Sequence, residues 1–332
     1  MEEEFRRIET VKEWNEHFEL LEQESCIIRD DGWRVCFIFG VDCSIVAYDV
    51  DVPSTNRRYI VTQTPLPDKV SHFWLMAWWQ RSQVIVMLDD WDEAGNSVGC
   101  EQYWPNAIDS KMLMSDVSLT VTLTKVEESK HFYLRTMLLE DGKTNRSRTI
   151  HQFQYKAWLY HHQPDSPILF LRLLTAIRKT VGESYEPTIV HCSDGCGKSG
   201  TFCLIDTVLR RIEYEGSIEG IDIAKTLLRM RWSHKKLIRS PVQLRFAYMT
   251  IIYGYRILQA AQKLDPLMCN PCDVPAKRWF EQRLVEAMED IDQDKREATI
   301  PAPGSSKGNE AKEDHSGSIL RRRGISKNHE PS

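Results

Sequence analysis

Residues 189–201 read IVHCSDGCGKSGT: an apolar strand that runs into a cysteine, a turn rich in glycine and the first residues of a helix. Small residues allow successive backbone N–H groups to converge on one point, and the N-terminus of the following helix adds partial positive charge. The same field favours the thiolate, so we expect it to lower the pKa of Cys192. The stretch therefore predicts an anion-binding loop, called the anion loop below, formed by Ser193, Asp194, Gly195, Cys196, Gly197, Lys198 and Ser199.

Two classes of phosphate-binding loop resemble this stretch. The nucleotide-binding loop GxxxxGK[ST] matches Gly197, Lys198 and Ser199, but its leading glycine position holds a cysteine. The protein tyrosine phosphatase loop, HCxxGxxR[ST]G, fits better, because only its arginine position differs, as Lys198. The positions that match it are His191, Cys192, Gly195, Ser199 and Gly200.

Four further segments resemble the same family, in its order and spacing. They read RYIVTQTPL (58–66), FWLMAWWQ (73–80), CEQYWP (100–105) and QLRFAY (243–248). The resemblance, to the classical phosphotyrosine-specific type, covers about residues 34–256. It implies an α/β fold with a central twisted mixed β-sheet flanked by helices, and with the cysteine-containing loop between a strand and a helix.

The resemblance also implies a mechanism, most of whose parts are replaced in this chain. The family uses a cysteine thiolate, an arginine fork on the phosphate, a general acid for the leaving tyrosine and a glutamine that orients water. The nucleophile position is kept as Cys192, with His191 beside it, and a second family glutamine is kept as Gln243. The three replaced positions are the arginine (Lys198), the general acid (Tyr160) and the water-orienting glutamine (Arg239).

These replacements predict impaired turnover. Lysine keeps the positive charge but lacks the planar fork that binds two phosphate oxygens at once. A tyrosine, with a reference pKa near ~10, is a poor proton donor at neutral pH, and the loss of general acid catalysis costs roughly 10²–10⁴ in rate. His162 and Asp165 are displaced alternatives for the acid.

Two side chains leave alternatives open. Asp194 stands where the family has a small apolar residue. If it faces inward, it opposes phosphate and raises the pKa of Cys192; the other reading is an outward, solvated carboxylate. Arg239 either adds positive charge beside the anion loop, together with Lys198, or faces solvent.

Composition narrows the function classes. The chain has 332 residues, is 42% hydrophobic and carries a net charge of −5, which disfavours nucleic acid as a partner. The N-terminus is acidic and no apolar run reaches the roughly 18 residues of a membrane span, so we expect a cytoplasmic protein. Nine cysteines indicate free thiols rather than a disulfide framework. The lone Cys269/Cys272 pair favours a loop over a zinc site, so we expect neither a metal nor a cofactor.

The resemblance, the local composition and the hydrophobic periodicity together divide the chain into three parts. Residues 1–262 form the phosphatase-like domain, with an N-terminal amphipathic helix at about residues 4–24. Residues 263–293 form a linker and a C-terminal amphipathic helix, and residues 294–332 a disordered tail. Within the domain the pattern predicts strands at 35–41, 45–50, 84–88, 119–123, 132–138 and 188–190, and helices at 168–180, 201–213, 222–231 and 242–261.

The sequence thus predicts a pseudophosphatase that binds phosphotyrosine-bearing protein partners in a regulatory or scaffolding role, without efficient hydrolysis. One alternative is a slow or atypical tyrosine phosphatase that acts through a phosphocysteine intermediate at Cys192. Another treats the pocket as vestigial, with the first and last helices as the interaction surface. The sequence leaves the oligomeric state and any Cys192–Cys196 disulfide undecided.

Overall fold

The central strands alternate their side chains between two hydrophobic cores, one on each face of the sheet. The computed structural model describes residues 11–26, 45–52, 57–89, 102–158, 166–182 and 185–264, with the single positions 8, 55 and 164. Val61, Val86 and Val190 pack into one core, and the neighbouring Ile60, Ile85 and Ile189 into the other. A strand that is buried on both faces needs apolar side chains at successive positions. This explains the continuous apolar runs around residues 60–61, 85–86 and 189–190.

Eight strands form one mixed sheet. Their bounds are β1 Ala47–Val52, β2 Arg57–Gln63, β3 Val84–Met87, β4 Lys111–Met114, β5 Leu119–Glu128, β6 Phe132–Asp141, β7 Arg146–Tyr155 and β8 Thr188–Cys192. Their order across the sheet is β1-β2-β8-β3-β7-β6-β5-β4. The central strands β2, β8, β3 and β7 are parallel, whereas the outer pairs are antiparallel.

Six α-helices flank this sheet within the described residues. They are α1 Val11–Ser25, α2 Val70–Trp79, α3 Pro167–Val181, α4 Gly197–Glu215, α5 Ile223–Arg231 and α6 Pro241–Leu264. Ser166 caps α3 by accepting the N–H of Ile168, and the Asp222 carboxylate caps α5 through the N–H of Lys225. Phe73, Trp74 and Ala77 of α2 line one core, while α3 to α6 cover the other.

The predicted α/β fold is confirmed, with corrections to individual elements. The helix predicted for residues 201–213 begins at Gly197, because the anion loop leads directly into it. Helix α1 begins at Val11, Ile8 is not helical, and the other residues at the start of the predicted 4–24 helix lie outside the described residues. Strands β2, β4 and β7 were not predicted from periodicity. The strand predicted at 35–41, the C-terminal helix and the tail lie outside the described residues, so the domain boundaries stay predictions.

No helix in the described part of the chain is both long and apolar enough to cross a membrane. The same residues contain no group of three or more histidine, cysteine or acidic side chains suited to a metal ion. The Cys269/Cys272 pair lies outside them.

Candidate active site

The anion loop lies at the end of β8, between the neighbouring strands β2 and β3. Its turn requires a glycine at position 195, where φ is +63° and a Cβ would lie 2.7 Å from the carbonyl carbon of Thr62. The N–H of Gly195 bonds the carbonyl of Cys192 at 3.1 Å. A Cβ on Gly200, in the first turn of α4, would lie 2.6 Å from the backbone nitrogen of Ile238. The loop backbone is therefore fixed by close contact with β2 and with residues 237–238.

Asp194 faces into the anion loop, which decides between the two alternatives for this residue. Its Oδ1 accepts the backbone N–H of Cys196 at 2.9 Å and of Gly197 at 3.2 Å. These are the donors at the start of α4 that the sequence assigns to an external anion. Burial opposes the charged form, but these bonds and those from Cys192 and Arg239 lower the pKa of Asp194 below its usual value.

Cys192 is a buried, protonated thiol in this arrangement. Its Sγ donates to Oδ1 of Asp194 at 3.2 Å and accepts the hydroxyl of Ser199 at 3.1 Å. Burial, followed by the charges of Asp194 and Asp89, raises the pKa of Cys192 to about 12. The predicted thiolate is therefore contradicted, because burial and like charge outweigh the helix N-terminus.

Lys198 turns its ammonium group away from the anion loop. Nζ donates to the carbonyls of Trp158 at 3.1 Å and Leu88 at 3.2 Å, and lies 3.9 Å from Oδ1 of Asp89. The side chain therefore links the end of β3 to the segment after β7. Two of the three N–H donors of the ammonium group are therefore directed to backbone carbonyls, and the phosphate-binding role of Lys198 stays a prediction.

Arg239 points toward the anion loop rather than into solvent alone. Its Nη1 lies 3.1 Å from Oδ2 of Asp194, and its side chain remains 56% exposed. The backbone N–H of Arg239 donates to Oε1 of Gln243 at 3.0 Å. Arg239, which stands at the position of the family's water-orienting glutamine, thus pairs with Asp194, which stands at the position of a small apolar residue.

A buried arginine positions the segment that carries Arg239. The side chain of Arg231 is fully buried, and it donates to the carbonyls of Leu237 at 3.0 Å and Ile238 at 2.9 Å. It also bonds Ser25 Oγ of α1 at 2.7 Å. Ile238 has φ of +61°, a conformation that a β-branched residue rarely adopts, so these bonds hold it against its local preference. The charged character of Arg231 is visible in the sequence, but its partners are not.

His191 belongs to a second buried network. Thr64 Oγ1 donates to Asp89 Oδ2 at 2.7 Å, so it accepts from Nδ1 of His191 at 2.9 Å. Nε2 then accepts the Tyr103 hydroxyl at 2.7 Å. Burial lowers the pKa of His191 to about 4, so the ring is neutral at pH 7 and supplies no positive charge to Cys192.

Cys196 completes the loop as a second buried thiol. Its Sγ lies 3.2 Å from Nε2 of His234, whose ring stacks on Tyr48 with centroids 3.9 Å apart. Burial and the charge of Asp194 raise the pKa of Cys196 to about 11. Cys192 and Cys196 are both free thiols in this structure. Ser193 is exposed, and Tyr160, His162 and Asp165 lie outside the described residues.

Comparisons with known proteins identify the family to which this chain belongs. The family model described as protein-tyrosine phosphatase matches residues 26–253. The chain is 37% identical over 234 residues to "Tyrosine-protein phosphatase non-receptor type 2" of Homo sapiens, covering 70% of this chain and 52% of that protein. It is 38% identical over 228 residues to "Tyrosine-protein phosphatase non-receptor type 61F" of Drosophila melanogaster, covering 67% and 41%. The chain belongs to the protein-tyrosine phosphatase family, and its match spans about half the length of these relatives.

Proposed function

We propose that this chain is a pseudophosphatase: a tyrosine-phosphatase domain that engages phosphotyrosine-bearing protein partners through the face around Cys192, in a regulatory or scaffolding role, without efficient hydrolysis. The observation that carries the proposed loss of hydrolysis is the Asp194 carboxylate, which bonds the amides of Cys196 and Gly197 and the thiol of Cys192. A negative charge thus lies where a phosphoryl group has to bind, and the nucleophile is hydrogen-bonded to it.

The protonation state of Cys192 supports the same proposal. With a pKa of about 12, the thiolate fraction at pH 7 is on the order of 10⁻⁵. Two further features add to this barrier: Lys198 binds backbone carbonyls, and Tyr160 stands at the general-acid position. Each weakens a separate part of the reaction, so a single compensating change does not restore it.

Phosphate release from a phosphotyrosine peptide tests the catalytic half of the proposal. The assay compares the wild type with Cys192→Ser and with an active phosphatase of the family at equal concentration. We expect the two versions of this chain to release phosphate at the same background rate. Cys192-dependent turnover within about a hundredfold of the active phosphatase would refute the proposal, since loss of the general acid alone accounts for roughly 10²–10⁴.

A phosphopeptide array tests the binding half. Each tyrosine peptide is presented in phosphorylated and unphosphorylated form, and calorimetry measures the affinity of the sequences that bind. We expect a subset of phosphorylated peptides to bind the wild type. Binding that ignores phosphorylation, or no binding at all, would support the vestigial-pocket alternative instead.

We also propose that the chain works in a reducing, cytoplasmic compartment. The support is that Cys26, Cys192, Cys196 and Cys203 are free thiols. Fluorescence microscopy of the tagged chain, with a compartment marker, checks this, and retention in the secretory pathway would contradict it.

A slow or atypical phosphatase is the second candidate. Two features favour it: the Ser199 hydroxyl still bonds the Cys192 sulfur at 3.1 Å, and the loop amides still converge. In that reaction the Cys192 thiol loses its proton, the sulfur attacks phosphorus, the bond to the tyrosyl oxygen breaks, and that oxygen takes a proton. Water then hydrolyses the S–P bond, which releases phosphate and restores the thiol. Rapid quenching and mass spectrometry would then detect a phosphoryl group on Cys192 that Cys192→Ser lacks.

A further inference from the structure

The two oxygens of the Asp194 carboxylate are held in different ways. Oδ1 lies inside the anion loop, with donors from Cys196, Gly197 and the Cys192 thiol at 2.9, 3.2 and 3.2 Å. Oδ2 faces the rim, where Arg239 Nη1 donates to it at 3.1 Å. The side chains of Asp194 and Arg239 are 39% and 56% exposed, so water reaches both. The inner contacts resemble those of a bound anion, and the outer contact is a solvated ion pair.

We propose that Asp194 is a built-in substitute for a phosphate monoester dianion, and that Asp194 and Arg239 form a displaceable latch over the anion loop. When the dianion binds, Asp194 rotates outward, and the ligand takes over the amides of Cys196 and Gly197 together with the guanidinium of Arg239. This inference rests on the proposed function, because it assumes that phosphotyrosine partners use this face.

Opening the latch requires only a side-chain rotation. Gly195 and Gly200 pack against the backbones of Thr62 and Ile238, so the loop itself is held in place whether or not Asp194 lies inside it. Exposed ion pairs contribute little to stability because water screens them, so the outer contact opens readily. A dianion with three free oxygens offers the amides more charge than one carboxylate does.

Arg239 has two roles of opposite sign in this arrangement. In the closed state it holds Asp194 inside and so weakens ligand binding, because apparent affinity falls with the open fraction. In the open state its donors are free for the dianion, which strengthens binding. Its backbone is fixed by Gln243 and by the bonds from Arg231 to residues 237 and 238, so it stays at the rim in both states.

A simpler role for Asp194 is that of a helix cap. It accepts two N–H groups at the start of α4, as capping residues do. A cap alone predicts that replacing Asp194 lowers stability and leaves anion affinity unchanged. The latch predicts a gain in affinity that depends on Arg239, so the two roles are separable.

Calorimetry with tungstate, orthophosphate and a phosphotyrosine peptide tests the latch on the whole chain. The variants are Asp194→Ala, Arg239→Ala and the double variant, with Arg229→Ala as a control for loss of an exposed arginine. Asp194→Asn, which keeps the acceptor oxygen without the charge, covers the case in which Asp194→Ala fails to fold. We expect both Asp194 variants to bind tungstate at least tenfold more tightly than the wild type, and Arg229→Ala to match the wild type.

The most decisive measurement compares the effect of Arg239→Ala on tungstate binding in two proteins, the wild type and the Asp194→Ala variant. We expect Arg239→Ala to weaken tungstate binding about tenfold in Asp194→Ala, but to change the wild type less than threefold, because the released latch offsets the lost contact. Equal effects in both backgrounds, or no gain from replacing Asp194, would overturn the latch. Hydrolysis is measured separately. Efficient turnover by the wild type would contradict the proposed function, whereas an unchanged tungstate affinity in the Asp194 variants would contradict only the latch.

Discussion

The Sγ atom of Cys192 lies 3.2 Å from Oδ1 of Asp194 and donates its proton to that carboxylate. A nearby negative charge disfavours the thiolate, and it acts together with burial, the larger cause of the raised pKa of Cys192. Asp194→Asn removes the charge while keeping an oxygen in place. We therefore expect this variant to have a Cys192 pKa at least one unit lower than the wild type, although burial keeps it above the usual value.

The rate at which iodoacetamide alkylates Cys192, followed by mass spectrometry as a function of pH, measures this shift. Only the thiolate reacts, so the midpoint of the profile reports the pKa. Alkylation of Cys26, an exposed thiol that follows α1, serves as an internal control and is expected to be the same in the wild type and the variant. Superimposable Cys192 profiles for the wild type and the variant would contradict the electrostatic role of Asp194.

Gly200 is required by its contact with the backbone of the Arg239 segment. An added Cβ would lie 2.6 Å from the backbone nitrogen of Ile238, which Arg231 holds through its carbonyl. We expect Gly200→Ala to lower the free energy of unfolding by about 1–3 kcal/mol, the usual range for overpacking. Urea denaturation measures the loss.

Gly254 in α6 is the matched control for this substitution. Its Cβ would also meet an atom at 2.6 Å, but that atom is the end of the Leu209 side chain, which can rotate. Alanine is the better helix former by about 1 kcal/mol, which offsets the repacking. Gly254→Ala should therefore be close to neutral, and equal losses at both glycines would show that backbone contact is not the cause.

The sequence predicts those parts of the site that are local. The strand β8, the glycine turn and the helix α4 follow one another within residues 188–215, so their chemistry is legible as a motif. Asp194 also pairs with Arg239, 45 residues away, and the segment with Arg239 is held by Arg231, which reaches Ser25 across 206 residues. Neither pairing leaves a periodic pattern. Strand β4 was missed because it has four residues, only one of them buried.

Asp206 is the centre of a buried ion cluster that sequence patterns do not reveal. It bonds Arg178 Nη2 at 3.0 Å and accepts the Tyr59 hydroxyl at 2.8 Å, with Arg57 Nε at 3.5 Å. These groups lower the pKa of Asp206, although burial acts against them. Asp206→Asn removes one of the two carboxylates that pair with the buried Arg178, which keeps Glu213, so we expect a loss of about 3 kcal/mol in the free energy of unfolding, the lower end of the range for breaking a buried ion pair.

Chemical denaturation of Asp206→Asn and of Glu215→Gln checks the effect of burial. Glu215 pairs with Arg211 at 2.6 Å on the surface of the same helix, with both side chains about one-third exposed. Such pairs contribute roughly 0.3–0.5 kcal/mol, so this control should change little. Comparable losses in the two variants would mean that burial does not set the strength of the Asp206 cluster.

The neutral His191 makes stability depend on pH. Burial lowers its pKa to about 4, against roughly 6.5 in the unfolded chain, so the unfolded state binds more protons between these values. Stability is therefore full above about pH 6.5 and falls as the pH drops toward 4, by up to about 3 kcal/mol. The contribution of Asp206 is lost only at lower pH, since its folded pKa is also depressed.

Urea unfolding at several pH values between about 5 and 7 measures this slope, with His191→Gln as the comparison. The variant lacks the titrating group, so its stability should vary less over that interval even if it is lower throughout. An NMR titration of the His191 ring should show no protonation above about pH 5. A ring that titrates near its usual pKa would contradict the burial argument.

Restoring the family's catalytic groups should fail while Asp194 remains in the loop. Tyr160→Asp with Lys198→Arg supplies an acid and a guanidinium, but in the closed state Cys192 is protonated and Asp194 bonds the amides of Cys196 and Gly197, so the substrate has to displace Asp194 before it can react. We expect less than a tenfold gain in phosphate release from this double variant. Adding Asp194→Ala and Arg239→Gln should then raise the rate at least a hundredfold further, in line with recovered general acid catalysis of roughly 10²–10⁴. That activity should vanish with Cys192→Ser.

Strong recovery by the double variant alone would mean that Asp194 leaves the loop without cost, and no recovery in the quadruple variant would locate the defect outside these four positions.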